Sequence, residues 1–384
     1  MITDTKALLE FCQRISSSEY ITVDTEFMRE KTYWPILCLV QIAGKNEADC
    51  IDALASGIDL GPLFDLMADK NVLKVFHAAR QDLEIFFHKT GVVPHPVFDT
   101  QVAAMVCGFG DSVGYESLIA ELVKEPVDKG SRYTDWTVRP LTKRQIDYAL
   151  ADVTHLRPAY EKLLKILNLN KREIWLEEEM AILESTETYN GNPREAFRRI
   201  KARNTSPKML AVLRELACWR ETEAQNKNVP RNRILRDEQL TEIAHHTPES
   251  VDQLARTRGL GNRIAHGEYG KKILYAIKTA QKIKECDCPK PKLKAKLPRG
   301  LGPVIELLKV LLKMKSENSD VATKLLASAS DIEQIAALGD AAKVKALIGW
   351  RREVFGNDAL KLRAGDLSIT IKEKKLVLTQ SKNS

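Results

Sequence analysis

Between Tyr20 and Phe27 the chain reads Tyr-Ile-Thr-Val-Asp-Thr-Glu-Phe, β-branched and aromatic residues with no glycine or proline among them. That composition predicts a strand. Successive side chains on a strand alternate faces, so Asp24 and Glu26 fall on one face, about 7 Å apart along the chain. Two carboxylates on one face of a core strand are costly to bury unless a cation lies between them, and a divalent ion is the simplest solution. The same Asp-x-Glu spacing recurs at Asp82 and Asp331. Asp331 opens a helical pattern, where acids suit the dipole. Asp82 also lies in a helical pattern, where residues two apart do not share a face. Only the Asp24 copy makes a pair.

A chain of 384 residues suggests two or three domains, and an apolar fraction of 44% is ample for packed cores. No apolar run approaches the roughly 18 residues that span a bilayer, and the N-terminus lacks the pattern of a secretory leader. The seven cysteines are scattered, and Cys286-Asp287-Cys288 has no partner pair to complete a zinc site. A reducing cytoplasm is the expected setting. Nothing points to a membrane or to a protein partner.

A short helix capped by Asp4 precedes the first strand. Runs at 36–42 and 49–52 follow with short connections that suit antiparallel pairing. Those at 72–76 and 96–99 belong to strand–helix units that suit parallel addition. The expected fold class is therefore α/β, a mixed five-stranded sheet with helices over residues 1–170. The remainder reads as helical: a connector over 171–205, broken at Asn190-Gly191-Asn192-Pro193, and a first all-α unit over 206–285. A Pro- and Lys-rich linker over 286–299, a second all-α unit of similar size over 300–372 and a tail over 373–384 complete the chain. A further strand is expected near Leu367–Ile371. Residues 1–170 hold 18 Lys+Arg against 24 Asp+Glu; the rest holds 41 against 28, so an acidic first part is joined to a basic second part. That split fits chemistry in the first and polyanion binding in the second, or merely a soluble basic helical domain.

Two further acids join the pair. Asp82 lies just past the fourth strand, and strand ends are where α/β folds place their sites. In Tyr148-Ala-Leu-Ala-Asp152, residues four apart on a helix share a face, so Tyr148 and Asp152 point together. Four carboxylates with no His or Cys beside them are hard oxygen donors, suited to Mg²⁺ or Mn²⁺ rather than Zn²⁺.

Val23 to Phe27 with Trp34-Pro35 and Leu39 to Ile42, then Val75 to Leu83, then Tyr148 to Asp152 preceded by Asp135-Trp136 and Arg139-Pro140-Leu141, resemble in order and spacing the three motifs of a DEDD-superfamily exonuclease domain, and within it the ribonuclease D family. The sister branch of that superfamily has His five residues before the last acid. Here Asp147 occupies that place and the Tyr-type spacing is met instead.

The resemblance implies an RNase H-like fold and 3′→5′ hydrolytic removal of nucleotides, with two divalent cations, Mg²⁺ or Mn²⁺. Asp24 would bridge them, Glu26 and Asp152 would hold the nucleophile-side ion, Asp82 would support the other, and Tyr148 would position the attacking water. Phe27, Met28, His77 and Gln81, which flank the acids, are expected RNA contacts. The implied partner is RNA, with tRNA precursors bearing a free 3′ end the expected substrate.

Residues 206–285, from Leu213 through Asn228-Val229-Pro230 to Gly259-Leu260-Gly261, resemble the helicase-and-RNase-D C-terminal (HRDC) domain, and 300–365 resemble a second copy more weakly. Gly259 and Gly261 suit either a phosphate contact, with Arg256, Arg258 and Arg263 adding charge, or a plain turn between packed helices. No phosphate loop, serine-hydrolase elbow or zinc-protease motif is present in the sequence. The alternatives to an exoribonuclease are a DNA-trimming exonuclease and a catalytically idle RNA-binding scaffold.

Overall fold

The computed structural model describes residues 1–126, 130, 134–291, 298 and 300–380. Much of the expected linker, 292–297 and 299, lies outside the described residues. The chain divides into two compact units, one of residues 1–26, 38–188 and the described part of 295–384, the other of 27–37 and 189–294.

The first unit is built on a five-stranded sheet, β1 (Tyr20–Met28), β2 (Ile36–Ala43), β3 (Ala48–Asp52), β4 (Leu73–Phe76) and β5 (Val97–Asp99), in the order β3-β2-β1-β4-β5. β2 and β3 pair antiparallel, whereas β1 with β4 and β4 with β5 pair parallel, giving the expected mixed sheet. Its helices are α1 (Thr5–Ile15), α2 (Gly61–Ala68), α3 (Arg80–Thr90), α4 (Thr100–Val106), α5 (Tyr115–Leu122), α6 (Lys143–Asn170) and α7 (Glu173–Glu184). Local chemistry sets their ends. Asp4 accepts the N–H of Ala7 at 2.9 Å to start α1, and Thr142 with Gln145 closes a capping box at the start of α6. α6 runs unbroken through Pro158.

The registers of β1 and β4 locate the site. Val75 of β4 is abreast of Thr22 of β1, and β4 ends one residue later, at Phe76. The turn between β4 and α3 therefore opens beside the acids of β1. Ile21 and Val23 are fully buried while Asp24 and Glu26 keep partial exposure, so apolar β1 side chains fix the strand and leave its acids reachable.

The second helical stretch packs within this same unit. Its own core gathers Leu308, Leu311, Ile335 and Phe355, and Trp350 stacks on Trp175 of α7 with ring centroids 4.2 Å apart and planes 8° from parallel. Beside it, Arg351 bonds the Glu178 carboxylate at 2.6 Å, pairs with Glu179 and donates to the Leu325 carbonyl at 2.7 Å. The expected connector thus supplies, in α7, the surface on which this stretch rests. The stretch ends in a hairpin, β6 (Leu367–Lys372) and β7 (Lys375–Gln380), so residues first read as tail form a strand. Glu373 and Lys374 both take positive φ, 48° and 64°, the two-residue turn that matches strand twist. Lacking Asn or Gly, that turn carries no signal in the sequence.

The second unit is helical, around α8 (Pro207–Lys227). Leu213, Leu216, Leu240, Ile243 and Ile273 form its core. The segment 27–37 belongs to it: Asn228 Oδ1 accepts the backbone N–H groups of Tyr33 at 3.1 Å and Trp34 at 3.0 Å, and the Tyr33 hydroxyl donates to Glu221. Among the described residues no helix is long and apolar enough to cross a membrane.

Candidate active site

Asp24 and Glu26 project from β1, and Asp152 from the third turn of the long helix α6. One carboxylate oxygen from each lies within 4.8 Å of the others. The strand alternation and the helix spacing read from sequence thus converge on one point. Burial pushes Asp24 up to about 7, a backbone N–H at Thr25 pulling the other way. Asp82 sits in the first turn of α3, 6% exposed. Burial first, then the neighbouring Asp24 carboxylate, raise it well above the carboxylate range. Negative charge is therefore crowded into a place where water compensates it poorly, and all four donors are oxygens. A divalent cation fits such a set on both counts. The oxygen donors suit hard ions, and a bound charge would reverse the upward shifts.

Supporting contacts fix two of the acids and the turn beside them. The Thr25 hydroxyl donates to Asp82 Oδ1, joining β1 to α3. The Tyr115 hydroxyl donates to the backbone carbonyl of Asp152 at 2.7 Å, fixing α6. Asp99, at the end of β5, accepts the N–H groups of Ala78 and Ala79, both at 2.9 Å, and of Gln101 at 2.8 Å. It therefore pins the turn between β4 and α3. Arg139 grips Asp52 of β3 through two bonds, at 2.7 and 2.6 Å, and donates to the Trp136 carbonyl at 2.8 Å. Trp136 in turn lies 6.2 Å, ring to ring, from Tyr148.

Tyr148 faces the Asp152 side chain, as the four-residue spacing on α6 predicts. Burial, then the Asp152 and Glu26 carboxylates, push its hydroxyl far above the ordinary phenol range, so it is a protonated donor near neutral pH.

The expected nucleic-acid contacts are placed as follows. His77 is largely enclosed: its Nδ1 lies 2.9 Å from Thr100 Oγ1 and its ring meets Tyr115 edge-on, centroids 5.6 Å apart. Thr100 spends its one hydroxyl proton on the Phe76 carbonyl, so Nδ1 carries the imidazole hydrogen. Burial pushes His77 down to about 4, leaving it neutral. Gln81 is exposed at the start of α3; Phe27 and Met28 are half-buried at the end of β1. In the helical unit, Gly259 and Gly261 take φ 75° and 76° in a tight turn before the four-residue helix Asn262–Ala265. The Gly259 carbonyl accepts Gln239 Nε2 at 2.6 Å and the Arg258 N–H goes to Glu242, so both groups are engaged by the helix Asp237–His246. Arg256, Arg258 and Arg263, in and beside this turn, are all exposed.

Sequence reading missed Thr25, Asp99 and Tyr115. Asp99 carried a usable signal, an acid at a strand end before a helix. Tyr115 carried none, since its partner lies 37 residues away.

Residues 1–168 match the family of 3′-5′ exonuclease domains, and residues 209–277 match the HRDC domain. Together with the acid cluster they define a 3′→5′ exonuclease carrying a helical HRDC module. Ribonuclease D of Nitrobacter hamburgensis is 48% identical over 377 residues, 98% of each chain. That of a Jannaschia species is 48% identical over 385 residues, 99% of each chain. The crystal structure of Escherichia coli RNase D, described as an exoribonuclease involved in structured RNA processing, matches with a TM-score of 0.81 at 31% identity, over 94% of this chain and 97% of that one. The chain belongs to the ribonuclease D family, whose members are 3′→5′ exoribonucleases.

Proposed function

We propose that this enzyme removes nucleotides one at a time from RNA 3′ ends, with precursors of tRNA as substrates, and releases nucleoside 5′-monophosphates. The observation that carries the reading is the convergence of Asp24, Glu26 and Asp152 on one point, with Tyr148 beside the last of them.

Asp24, Glu26, Asp82 and Asp152 would hold two divalent cations, Mg²⁺ or Mn²⁺. Bound there, such ions lower the pKa of water and neutralise charge on the scissile phosphate and on the leaving 3′ oxygen. The chain's own part is placement. Asp24 and Glu26 sit on a strand locked by buried neighbours, and Asp82 is fixed by Thr25 and by the pinned turn. Rigid carboxylates need no rearrangement as charge develops. The Tyr148 hydroxyl, beside Asp152, is set to orient the attacking water through a hydrogen bond.

Incubation with end-labelled RNA and DNA, with Mg²⁺ or Mn²⁺ and with chelator, tests the reading. Metal-dependent shortening of RNA from its 3′ end is the expected result. Faster shortening of DNA would make the enzyme a DNA trimmer, and RNA binding without turnover would make it a scaffold.

A further inference from the structure

The helix Glu268–Gln281 of the HRDC unit buries Gly270, Ile273, Ala276, Ile277 and Ala280. On its other side stand Lys271, Tyr275 and Lys278, followed by Lys282 at the C-cap, whose backbone is still right-handed helical. At about 100° per residue these four side chains fall within an arc of roughly 60°, and at 1.5 Å per residue they extend over about 16 Å. Lys271, Lys278 and Lys282 are exposed. Tyr275 is 74% exposed, and no other Phe, Tyr or Trp side chain among the described residues is as open to solvent.

Two ordinary explanations account for part of this. Lysines near a helix C-terminus suit its dipole, which covers Lys278 and Lys282 but not Lys271. Long side chains on a solvated face are common, but lysines there are usually matched with acids. Lys272, one position away, pairs with Glu223 at 3.0 Å, whereas Lys271, Lys278 and Lys282 make no ion pair among the described residues. Neither explanation covers a phenol ring set between three cations in water.

We infer that the face formed by Lys271, Tyr275, Lys278 and Lys282 binds a single-stranded stretch of RNA, with Tyr275 stacking on an unpaired base and the lysines meeting the flanking phosphates. Unpaired bases offer a free ring face to an aromatic side chain; a duplex offers this face only its phosphates. The charge is complementary to a phosphate backbone, and the spacing along the helix follows an extended strand. The inference rests on the reading of RNA as substrate and names the part of that substrate this module holds.

The test uses the full-length chain in chelator, so that bound RNA stays intact, with a labelled unstructured oligoribonucleotide and a blunt RNA duplex as probes. Tyr275→Ala should weaken binding of the unstructured strand roughly 5- to 100-fold and leave duplex binding within about twofold. Tyr275→Phe, which keeps the ring, should bind as wild type does. Changing Lys271, Lys278 and Lys282 together to Gln should flatten the slope of log affinity against log salt by about 2, at roughly 0.7 for each phosphate no longer neutralised, which Tyr275→Ala should not do. The residues are exposed, so the variants should fold normally. Unchanged affinity of Tyr275→Ala for the unstructured strand, or an equal loss on the duplex, would overturn the inference. If the wild-type chain neither binds nor shortens RNA, the broader reading fails instead, and the two failures are distinct.

Discussion

Asp99 accepts the backbone N–H of Ala78 at 2.9 Å, and Ala78 stands in the left-handed region at φ 59°. A residue with a Cβ is about 1–2 kcal/mol less stable there, so the Asp99 carboxylate holds a turn that would otherwise relax. Four residues after Ala78 comes Asp82. Asp99→Asn replaces one accepting oxygen with a donor and should lower Mn²⁺ affinity and turnover roughly 10- to 100-fold, as for other groups that orient ligands. Adding Ala78→Gly removes the backbone cost and should restore much of the loss. Equilibrium Mn²⁺ binding to the two variants checks this; an Asp99→Asn protein that binds Mn²⁺ like wild type would remove Asp99 from the support of the site.

Tyr148→Phe removes one oxygen and keeps the ring beside Trp136. Turnover should fall roughly 10²- to 10⁴-fold, the range for a hydroxyl that orients the attacking water or takes its proton, with little change in substrate affinity. Tyr20→Phe is the control. Its hydroxyl bonds Glu161 at 2.6 Å on the far stretch of α6, and its loss should leave turnover unchanged. Single-turnover cleavage of a short RNA at saturating Mg²⁺ gives the comparison, and equal rates for wild type and Tyr148→Phe would exclude the hydroxyl from the reaction.

The raised Asp24 makes a prediction about the metal-free protein. Its folded-state value, about 7, lies above the ordinary 3.8. It therefore contributes stability that is fully present below about pH 4 and lost as pH rises through 7. Asn cannot ionise and keeps its contribution at every pH. In chelator, the melting temperature of Asp24→Asn minus that of wild type should grow by a few degrees between pH 5 and pH 8. A difference that stays flat or shrinks would mean that Asp24 is not held as a crowded, poorly solvated carboxylate.

Trp350 is 6% exposed and stacked on Trp175. Trp350→Ala should cost about 3–5 kcal/mol, as truncation of a buried aromatic does. The loss should appear as early proteolysis within 300–380 and along α7, at denaturant concentrations where the sheet core still resists cutting. Unchanged protection of both segments would show that the stacked pair does not hold them together.

The parts of this molecule that could be read from sequence were those whose signal is local. β1 announced itself by composition, and its acids by alternation. Tyr148 and Asp152 were placed together by helical spacing alone. Mixed sheet topology followed from connection lengths. What could not be read depends on partners distant in the chain. Asp99 acts on a turn 21 residues earlier, and Trp350 meets a ring 175 positions away. Docking of the C-terminal helices on α7 was hidden for the same reason, since a Pro- and Lys-rich stretch reads as a spacer whatever its ends touch. The final hairpin was half visible, because β6 has strand composition while its Glu373-Lys374 turn lacks the residues that mark such turns.

The central claim is that the carboxylates gathered around Asp24 drive metal-dependent shortening of RNA from its 3′ end. The most direct measurement is the time course of a 5′-labelled single-stranded RNA with Mg²⁺ or Mn²⁺, run beside Asp24→Asn and beside wild type in chelator. Wild type with metal should give a ladder that descends one nucleotide at a time and releases nucleoside 5′-monophosphates, while the other two lanes stay at full length. Internal cuts, shortening from the 5′ end, or an undiminished ladder in chelator or with Asp24→Asn would contradict the account.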